Sequence, residues 1–215
     1  MSGLFISFEG TEGSGKSTQI GLLAERLQSL SHRVRLVREP GGTPIGEEIR
    51  HTLQHSRQNA AMTREAELLL ISASRAQLVR EVIRPALAEG EIVICDRFYD
   101  STIAYQGYGR GVPLSQANLV IDFAVGSTRP DLTLLLFVPV AVSEARRAKR
   151  ASATPAPRDR MEEAGREFFL RVEAGYLAIA AAEPSRVRQI DATQDVATTA
   201  AQIWKEVAPR LRHPG

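Results

Sequence analysis

Short apolar runs alternate along the chain with longer stretches in which apolar residues recur every three or four positions. An almost continuous apolar run of about four to eight residues is typical of a parallel strand buried on both faces, whereas the longer period is typical of an amphipathic helix. The apolar runs predict strands at Leu4–Glu9, Val34–Val37, Glu91–Cys95, Leu132–Val138 and Val187–Ile190. The amphipathic stretches predict helices at Ser17–Leu30, Ile45–Leu53, Ala66–Leu87, 141–150, 161–182 and Val196–Leu211.

The alternation of strand and helix indicates an α/β fold, in which helices flank both faces of a five-stranded parallel sheet. In such sheets ligands bind beyond the carboxyl ends of the strands. The segments expected there are Gly10–Ser17, Arg38–Gly42, Asp96–Arg97 and Asp191–Thr193. Candidate chemistry is therefore concentrated in these short segments.

Composition narrows the class of protein. The 215 residues suit one α/β domain over 1–215 with a small inserted lid. The 27 Lys and Arg against 25 Asp and Glu give a net charge of +2, which argues against a generally basic nucleic-acid coat. A single cysteine, Cys95, excludes a disulfide framework. The sequence shows no apolar run long enough to span a membrane and no signal-peptide pattern, so a cytoplasmic protein is expected.

The segment Gly10–Ser17 fits the pattern G-x-x-x-x-G-K-[ST] of a phosphate-binding loop, or P-loop. Glycines let backbone N–H groups wrap around a phosphate, and the helix that follows points its positive end at the same anion. Lys16 would reach the β- and γ-phosphates of ATP, and the Ser17 hydroxyl would ligate Mg²⁺. The residues predicted to bind the nucleotide are Gly10, Thr11, Glu12, Gly13, Ser14, Gly15, Lys16, Ser17 and Thr18. Motors, GTPase switches and kinases share this loop, so it does not by itself define the function.

An acidic residue, Asp96, and a basic residue, Arg97, follow the third predicted strand. Asp96 can hold the water shell of Mg²⁺ at this place, and Arg97 offers a fork for a second phosphate. Further along, Thr102, Tyr105 and Gln106 lie three and four positions apart, on one face of a helix. Hydroxyls, an amide and a ring suit a nucleobase and its sugar, although a solvated helix face explains the same pattern equally well.

Four motifs together resemble the thymidylate kinase (dTMP kinase) family. They are the P-loop, R-E-P-G-G-T at Arg38–Thr43, D-R-F at Asp96–Phe98 and S-T-I-A-Y-Q-G at Ser101–Gly107. The resemblance runs from Phe5 to about Asp195. It implies the P-loop kinase fold and transfer of the γ-phosphoryl group of ATP to dTMP, giving ADP and dTDP for dTTP biosynthesis. It also implies Mg²⁺ as cofactor, dTMP as the small-molecule partner and a homodimer.

The resemblance also implies roles for the matched residues of the acceptor site. Arg50 and Arg97 match arginines that hold the acceptor phosphate, and Arg75 matches one that hydrogen-bonds the thymine carbonyl. The other matches are Glu39 near the acceptor sugar and metal, Thr102 and Gln106 on the base, and Tyr105 on the deoxyribose, where it disfavours a ribose hydroxyl. Ile71 stands where the family commonly has a phenylalanine stacked on thymine, so we expect a weaker base site.

A basic region at about 146–162 brackets a loop of small residues, and we interpret it as a lid. Its basic residues are Arg146, Arg147, Lys149, Arg150, Arg158 and Arg160. A solvated helix end or a nucleic-acid patch would carry similar charge, but a nucleic-acid surface would also carry interleaved aromatic residues, which are lacking before Phe168. A mobile lid that supplies arginines to the transferring phosphoryl group fits better. With Glu12 inside the P-loop, the chain resembles the bacterial subtype with lid arginines, for which Arg150 and Arg160 are expected.

Two alternatives stay open at the level of sequence. A kinase for another nucleoside or deoxynucleoside monophosphate is supported by Ile71, while Arg50 and Arg97 favour an acceptor that already carries a phosphate. A non-catalytic ATP-binding module would need neither a second anion site nor a basic lid. The residues predicted to be catalytic are Lys16, Asp96, Arg97, Arg150 and Arg160, and those predicted to hold the metal are Ser17 and Asp96.

Overall fold

Five parallel strands form a sheet in this computed structural model, which describes residues 3–56, 58–153 and 165–211. The strands are β1 (Leu4–Glu9), β2 (Val34–Arg38), β3 (Ile92–Asp96), β4 (Leu132–Phe137) and β5 (Val187–Asp191). Their spatial order is β2-β3-β1-β4-β5, and the register pairs Ile6 of β1 with Ile94 on one side and Leu132 on the other. The predicted five-stranded parallel sheet is confirmed, and the predicted strands agree with the observed bounds to within one residue.

Helices connect the strands and cover both faces of the sheet. They are α1 (Lys16–Ser29), α2 (Pro44–Gln54), α3 (Arg64–Leu78), α4 (Arg84–Ala88), α5 (Tyr99–Thr102), α6 (Leu114–Val125), α7 (Val140–Ala153), α8 (Arg166–Ala182) and α9 (Val196–Val207). A π-helical segment at Val79–Ile83 joins α3 to α4, and a second one at Ile103–Gly109 follows α5. Within the described ranges, no helix has both the length and the apolar character needed to cross a membrane.

Separate cores lie on the two faces of the sheet, because successive side chains of a strand point to opposite sides. On one face Ile6 and Phe8 pack with apolar residues of α1 and α9. On the other face Phe5 packs with residues that include Val79 and Ile121. Burial on both faces explains why the central strands consist almost entirely of apolar residues.

The helical part of the chain differs from the sequence prediction in several places, of which two have a clear physical cause. The predicted helix Ala66–Leu87 is three consecutive helical segments, and the middle one is a π segment just before Pro85. Proline has no N–H to donate and its ring displaces the carbonyl four residues earlier, which favours this wider turn. The hydrophobic pattern does not predict α6, because Leu119 and Phe123 are apolar yet exposed and so obscure the helical period.

Candidate active site

The P-loop joins β1 to α1 and depends on three glycines with positive φ. Gly10, Gly13 and Gly15 have φ of 133°, 79° and 92°, a region that strains any other residue. A Cβ atom on Gly10 would also lie 2.4 Å from the carbonyl oxygen of Leu136. Because α1 begins at Lys16, directly after Gly15, the N–H groups of its first turn have no partners within the helix. Such N–H groups, together with the helix dipole, make a binding site for phosphate.

The Lys16 side chain folds back into the P-loop. Its Nζ donates to the carbonyl oxygens of Gly10 at 3.2 Å and Thr11 at 3.3 Å, and the residue is only 8% exposed. Burial, and next the charge of Arg97, lower the pKa of Lys16 to about 7, against the attraction of nearby carboxylates. An anion bound in the loop would stabilise the charged form of this lysine, so the loop is suited to a phosphate.

A cavity of about 480 Å³ opens beside the P-loop. The residues predicted from sequence that line it are Glu12, Gly13, Gly15, Lys16, Ser17, Thr18, Glu39, Arg50, Ile71, Arg75, Asp96, Arg97, Thr102, Tyr105 and Gln106. Gly10, Thr11 and Ser14 belong to the same loop without lining the cavity. The side chain of Arg150 and the whole of Arg160 lie outside the described residues. Thus the ends of three neighbouring strands bring distant parts of the sequence together, as a parallel sheet predicts.

Arg75 and Glu39 form a buried ion pair in the wall of the cavity. Arg75 Nη2 lies 2.6 Å from Glu39 Oε2, and Nε donates to the same oxygen at 2.8 Å. The guanidinium also donates to Thr102 Oγ1 at 3.0 Å and to the Phe98 carbonyl at 3.2 Å. Burial raises the pKa of Glu39, although the charge of Arg75 opposes this shift. The network joins α3 to the ends of β2 and β3, so it fixes the orientation of the Arg75 side chain.

Arg97 leaves the end of β3 with a left-handed backbone conformation, φ 70°. Its Nη1 donates to Ser101 Oγ at 3.2 Å and to Tyr176 Oη at 3.3 Å, and its Nη2 donates to Tyr105 Oη at 3.3 Å. The guanidinium carbon lies 5.0 Å from the centre of the Tyr105 ring. A non-glycine residue in this conformation persists only where its surroundings hold it, and such residues cluster at functional sites.

Glu9, which the sequence analysis does not single out, is completely buried in the same network. Its Oε1 accepts a hydrogen bond from the Phe98 N–H at 2.7 Å, and its Oε2 accepts from the hydroxyls of Ser101 at 2.5 Å and Tyr176 at 2.9 Å. Burial, and next the charge of Asp100, raise the pKa of Glu9 to about 7. The one signal that could have identified it is a carboxylate at the end of an otherwise apolar strand.

Buried oxygen atoms around the P-loop fit a nucleotide and its metal ion. Asp96 Oδ1, Thr11 Oγ1 and Ser14 Oγ are buried without a hydrogen-bond partner among the described residues. A buried oxygen in this state is unfavourable unless a ligand satisfies it. Asp96 and the exposed Ser17 both line the cavity, and carboxylate and hydroxyl oxygens are ligands that suit Mg²⁺.

Helix α7 contacts the P-loop through Arg146. Its Nη1 donates to the Gly13 carbonyl at 3.2 Å, and its Nη2 donates to the Ala192 carbonyl at 2.9 Å. The neighbouring Arg147 lies over the ring of Phe169 in α8, 4.2 Å from its centre. Residues that also line the cavity but that the sequence analysis does not place in the acceptor or nucleotide site are Arg38, Pro40, Gln54, Ser101, Arg146 and Phe169.

A P-loop that shares a cavity with a second cluster of arginines can bring two phosphorylated molecules together. On this fold, that arrangement defines the class of P-loop nucleoside monophosphate kinases. A family model described as thymidylate kinase matches residues 8–203. The chain therefore belongs to the thymidylate kinase family, which confirms the resemblance seen in its motifs.

Relatives and a solved structure agree with this assignment over nearly the whole chain. The thymidylate kinase of Desulforudis audaxviator is 48% identical, with 99% of this chain and 93% of the relative covered. That of Syntrophotalea carbinolica is 46% identical, with 98% of each chain covered. The crystal structure of thymidylate kinase from Ehrlichia chaffeensis has a TM-score of 0.75 and 33% identity, with 96% of this chain and 99% of that chain covered. The protein is an enzyme of the nucleoside monophosphate kinase type.

Proposed function

We propose that this enzyme transfers the γ-phosphoryl group of ATP to dTMP, giving ADP and dTDP. The observation that carries the proposal is that the P-loop and Arg97 line one cavity. Its volume of about 480 Å³ lies within the range of small-molecule sites, about 300–1,000 Å³. A cytoplasmic location stays a prediction from the sequence.

The P-loop side of the cavity supports ATP as the donor. The N–H groups from Gly13 to Ser17 would surround its phosphates, and the Lys16 ammonium would contact the β- and γ-oxygens. The Ser17 hydroxyl and the Asp96 carboxylate would hold Mg²⁺, which neutralises phosphate charge when bound. Positioning and electrostatic stabilisation carry reactions of this kind, so no covalent enzyme intermediate is needed.

The lining residues outside the P-loop support a nucleoside monophosphate as the acceptor. Arg97 and Arg50 would hold its phosphate in line with the donor. The Tyr105 ring would pack on the sugar near Glu39. The residues that would contact the base are Ile71, Arg75, Thr102 and Gln106. Arg75 Nη1 has two N–H groups. One donates a hydrogen bond to Thr102, and the other can donate to a carbonyl oxygen of the base.

We propose that the basic region at about 146–162 acts as a lid over the donor phosphates. The hydrogen bond from Arg146 to the P-loop carbonyl of Gly13 supports this, because it links the region to the loop. An arginine supplied to the transferring phosphoryl group contributes about 10³–10⁵ in rate. Arg150 and Arg160 remain the residues predicted for this role.

The direct test measures ADP formation in a coupled assay with ATP and Mg²⁺. The acceptors, offered one at a time, are dTMP, dUMP, dCMP, dGMP, AMP and thymidine. We expect the highest kcat/KM with dTMP. We expect no turnover with thymidine, because thymidine lacks the phosphate that Arg97 and Arg50 would hold. Turnover chiefly with another monophosphate would favour the alternative acceptor that Ile71 suggests. A failure of every acceptor to stimulate ADP formation would contradict the proposed reaction.

We also propose a homodimer formed through α3 and α6. These two helices pack against each other, and they expose Leu69, Leu119 and Phe123 by 58%, 72% and 84%. Large apolar side chains exposed on neighbouring helices are typical of an interaction surface. A second copy of the chain would remove these side chains from water.

Phe123→Asp is expected to convert the dimer to a monomer at micromolar concentration, because an unpaired carboxylate in an apolar contact is strongly unfavourable. Sedimentation velocity measures the mass. Leu30→Asp is the matched control, since Leu30 is 46% exposed at the end of α1, away from both helices. The control should keep the parent mass. A monomeric parent protein would refute the proposed interface.

A further inference from the structure

Glu67 is a fully buried carboxylate on α3 for which the reaction described above has no direct use. Its Oε1 accepts a hydrogen bond from the Gln106 side-chain amide, with Nε2 at 2.7 Å. The same oxygen forms an ion pair with Arg110, whose Nε lies 3.3 Å away. A buried carboxylate is tolerated where a cation and hydrogen bonds compensate it, and here it spans two elements that meet at the cavity.

The hydrogen bond fixes which way the Gln106 amide points. A side-chain amide has a donor end and an acceptor end of nearly equal size, and only its neighbours decide between the two orientations. The carboxylate, held by its ion pair, has no proton to give, so the amide must turn Nε2 toward Glu67. The Oε1 end is then left for the cavity that Gln106 lines, and no group among the described residues donates to it.

An acceptor at this position distinguishes pyrimidine bases by their N3 atom. Thymine and uracil carry an N3–H, which donates, whereas the N3 of cytosine is an acceptor. We infer that Glu67 is a positioning residue that makes the site selective for bases with an N3–H, by holding the Gln106 carbonyl oxygen toward the base. This inference rests on the proposed function, in which Gln106 contacts the base of the acceptor. It adds Glu67 of α3 to the residues that determine recognition of the base, although Glu67 need not touch the substrate itself.

Gln106 and Arg110 reach the Glu67 carboxylate from neighbouring positions of one helical turn. Gln106 lies in the π-helical segment Ile103–Gly109, and Arg110 follows it directly, so one turn presents both donors to Glu67. The guanidinium of Arg110 also lies 4.7 Å from the centre of the Phe168 ring, which restricts its position. Arg110 thus keeps the carboxylate paired, and the paired carboxylate orients the amide.

The test is Glu67→Gln, with kcat and KM measured for dTMP, dUMP and dCMP. A glutamine at position 67 can offer either a donor or an acceptor, so the Gln106 amide loses its fixed orientation. We expect kcat/KM for dTMP to fall about 10–100-fold, the range for leaving one buried polar group unpaired. The loss should appear in KM with kcat within about threefold, since the base is remote from the transferred group. The kcat/KM for dCMP should change less than about threefold.

Two comparisons separate orientation of the amide from a general loss of structure. The dTMP-to-dUMP ratio should stay within about twofold of the parent ratio, because both bases carry an N3–H. Glu65→Gln is the matched control, since Glu65 is an exposed residue of the same helix that pairs with Arg64, and its kinetics should match those of the parent. If Glu67→Gln does not fold, Glu67→Asp is the second variant to test. It keeps the charge but is one methylene shorter, and its ratio of kcat/KM for dTMP to that for dCMP should also fall.

A dTMP-to-dCMP ratio that stays at the parent value in the folded variants would overturn the inference. An equal loss with all three acceptors would do the same, because it would show a purely structural role for Glu67. Neither result would affect the assignment of dTMP as acceptor. A parent enzyme without preference for dTMP over dCMP would instead contradict the base site in the proposed function.

Discussion

Lys16→Met is expected to lower kcat for dTMP by about 10²–10³-fold, the typical effect of removing one electrostatic contact to charge that develops in a transition state. The Nζ atom already lies within the P-loop, at hydrogen-bond distance from the carbonyls of Gly10 and Thr11. Methionine keeps most of the length of the side chain without its charge, so the backbone of the loop should remain in place. The coupled assay at saturating ATP and dTMP measures the change.

The same substitution is expected to change how stability depends on pH. The pKa of Lys16 falls from 10.5 to about 7 on folding, chiefly through burial, so between these values the unfolded chain binds more protons at this residue. The free energy of unfolding of the parent therefore rises with pH across this window, whereas below pH 7 the folded protein carries the buried charge in full. The free energy of unfolding of Lys16→Met minus that of the parent should therefore be larger at pH 6 than at pH 9.

Thermal unfolding without nucleotide at pH 6 and pH 9 measures this difference. Glu9, whose pKa is also near 7, is present in both proteins, so its own titration largely cancels in the comparison. Lys205→Met on α9 is the control, because Lys205 is exposed and its replacement should alter neither kcat nor the pH dependence. A stability difference for Lys16→Met that is equal at both pH values would show that Lys16 keeps its ordinary pKa.

Arg75→Met is expected to lower the free energy of unfolding by about 3–5 kcal/mol, because it leaves the Glu39 carboxylate buried without its cation. Arg75 is 1% exposed and Glu39 is 5% exposed, so water does not replace the lost contact. The variant should also lose the proposed contact to the base, and its kcat/KM for dTMP should fall. Chemical denaturation at pH 8 measures stability, and the coupled assay measures activity in the folded fraction.

Three comparisons identify the unpaired carboxylate as the cause. The double variant Arg75→Met/Glu39→Gln should recover part of the lost stability, because it removes the buried charge. The deficit of Arg75→Met should be smaller at pH 5 than at pH 8, since loss of Arg75 raises the pKa of Glu39 further and protonation then removes the charge. Arg33→Met breaks the exposed pair with Glu89 and should cost at most about 1 kcal/mol. Equal losses in the single and double variants would point to packing alone.

Much of the fold could be predicted from the hydrophobic pattern because strands buried on both faces have a strong signature. The run Leu132–Val138 is an example, since it is continuously apolar apart from Thr133 and forms β4. Helix α6 could not be predicted in the same way. Its exposed Leu119 and Phe123 break the pattern, because an exposed apolar residue cannot be told from a buried one when only the sequence is read.

The candidate site was predictable where its residues follow one another in the chain. The P-loop, Asp96–Arg97 and the segment that contains Thr102, Tyr105 and Gln106 are such cases, and residues from each line the cavity. Residues that act across the fold carried little signal. Glu9 and Tyr176 are separated by most of the chain, yet their hydrogen bond is 2.9 Å long. Phe169 reaches the cavity from α8, and its sequence context is that of an ordinary core residue.

The sequence by itself determined the succession of strands and helices along the chain, the P-loop and the family, because these depend on neighbouring residues: backbone freedom at glycine, apolar runs and fixed motif spacing. Only the tertiary structure decided the state of the groups within the site. Burial sets the pKa of Lys16 and Glu9 near 7, and contacts across the fold set the partner of Arg75 and the orientation of the Gln106 amide. Desolvation and hydrogen bonding depend on what surrounds a side chain in space, and residues far apart in sequence provide those surroundings.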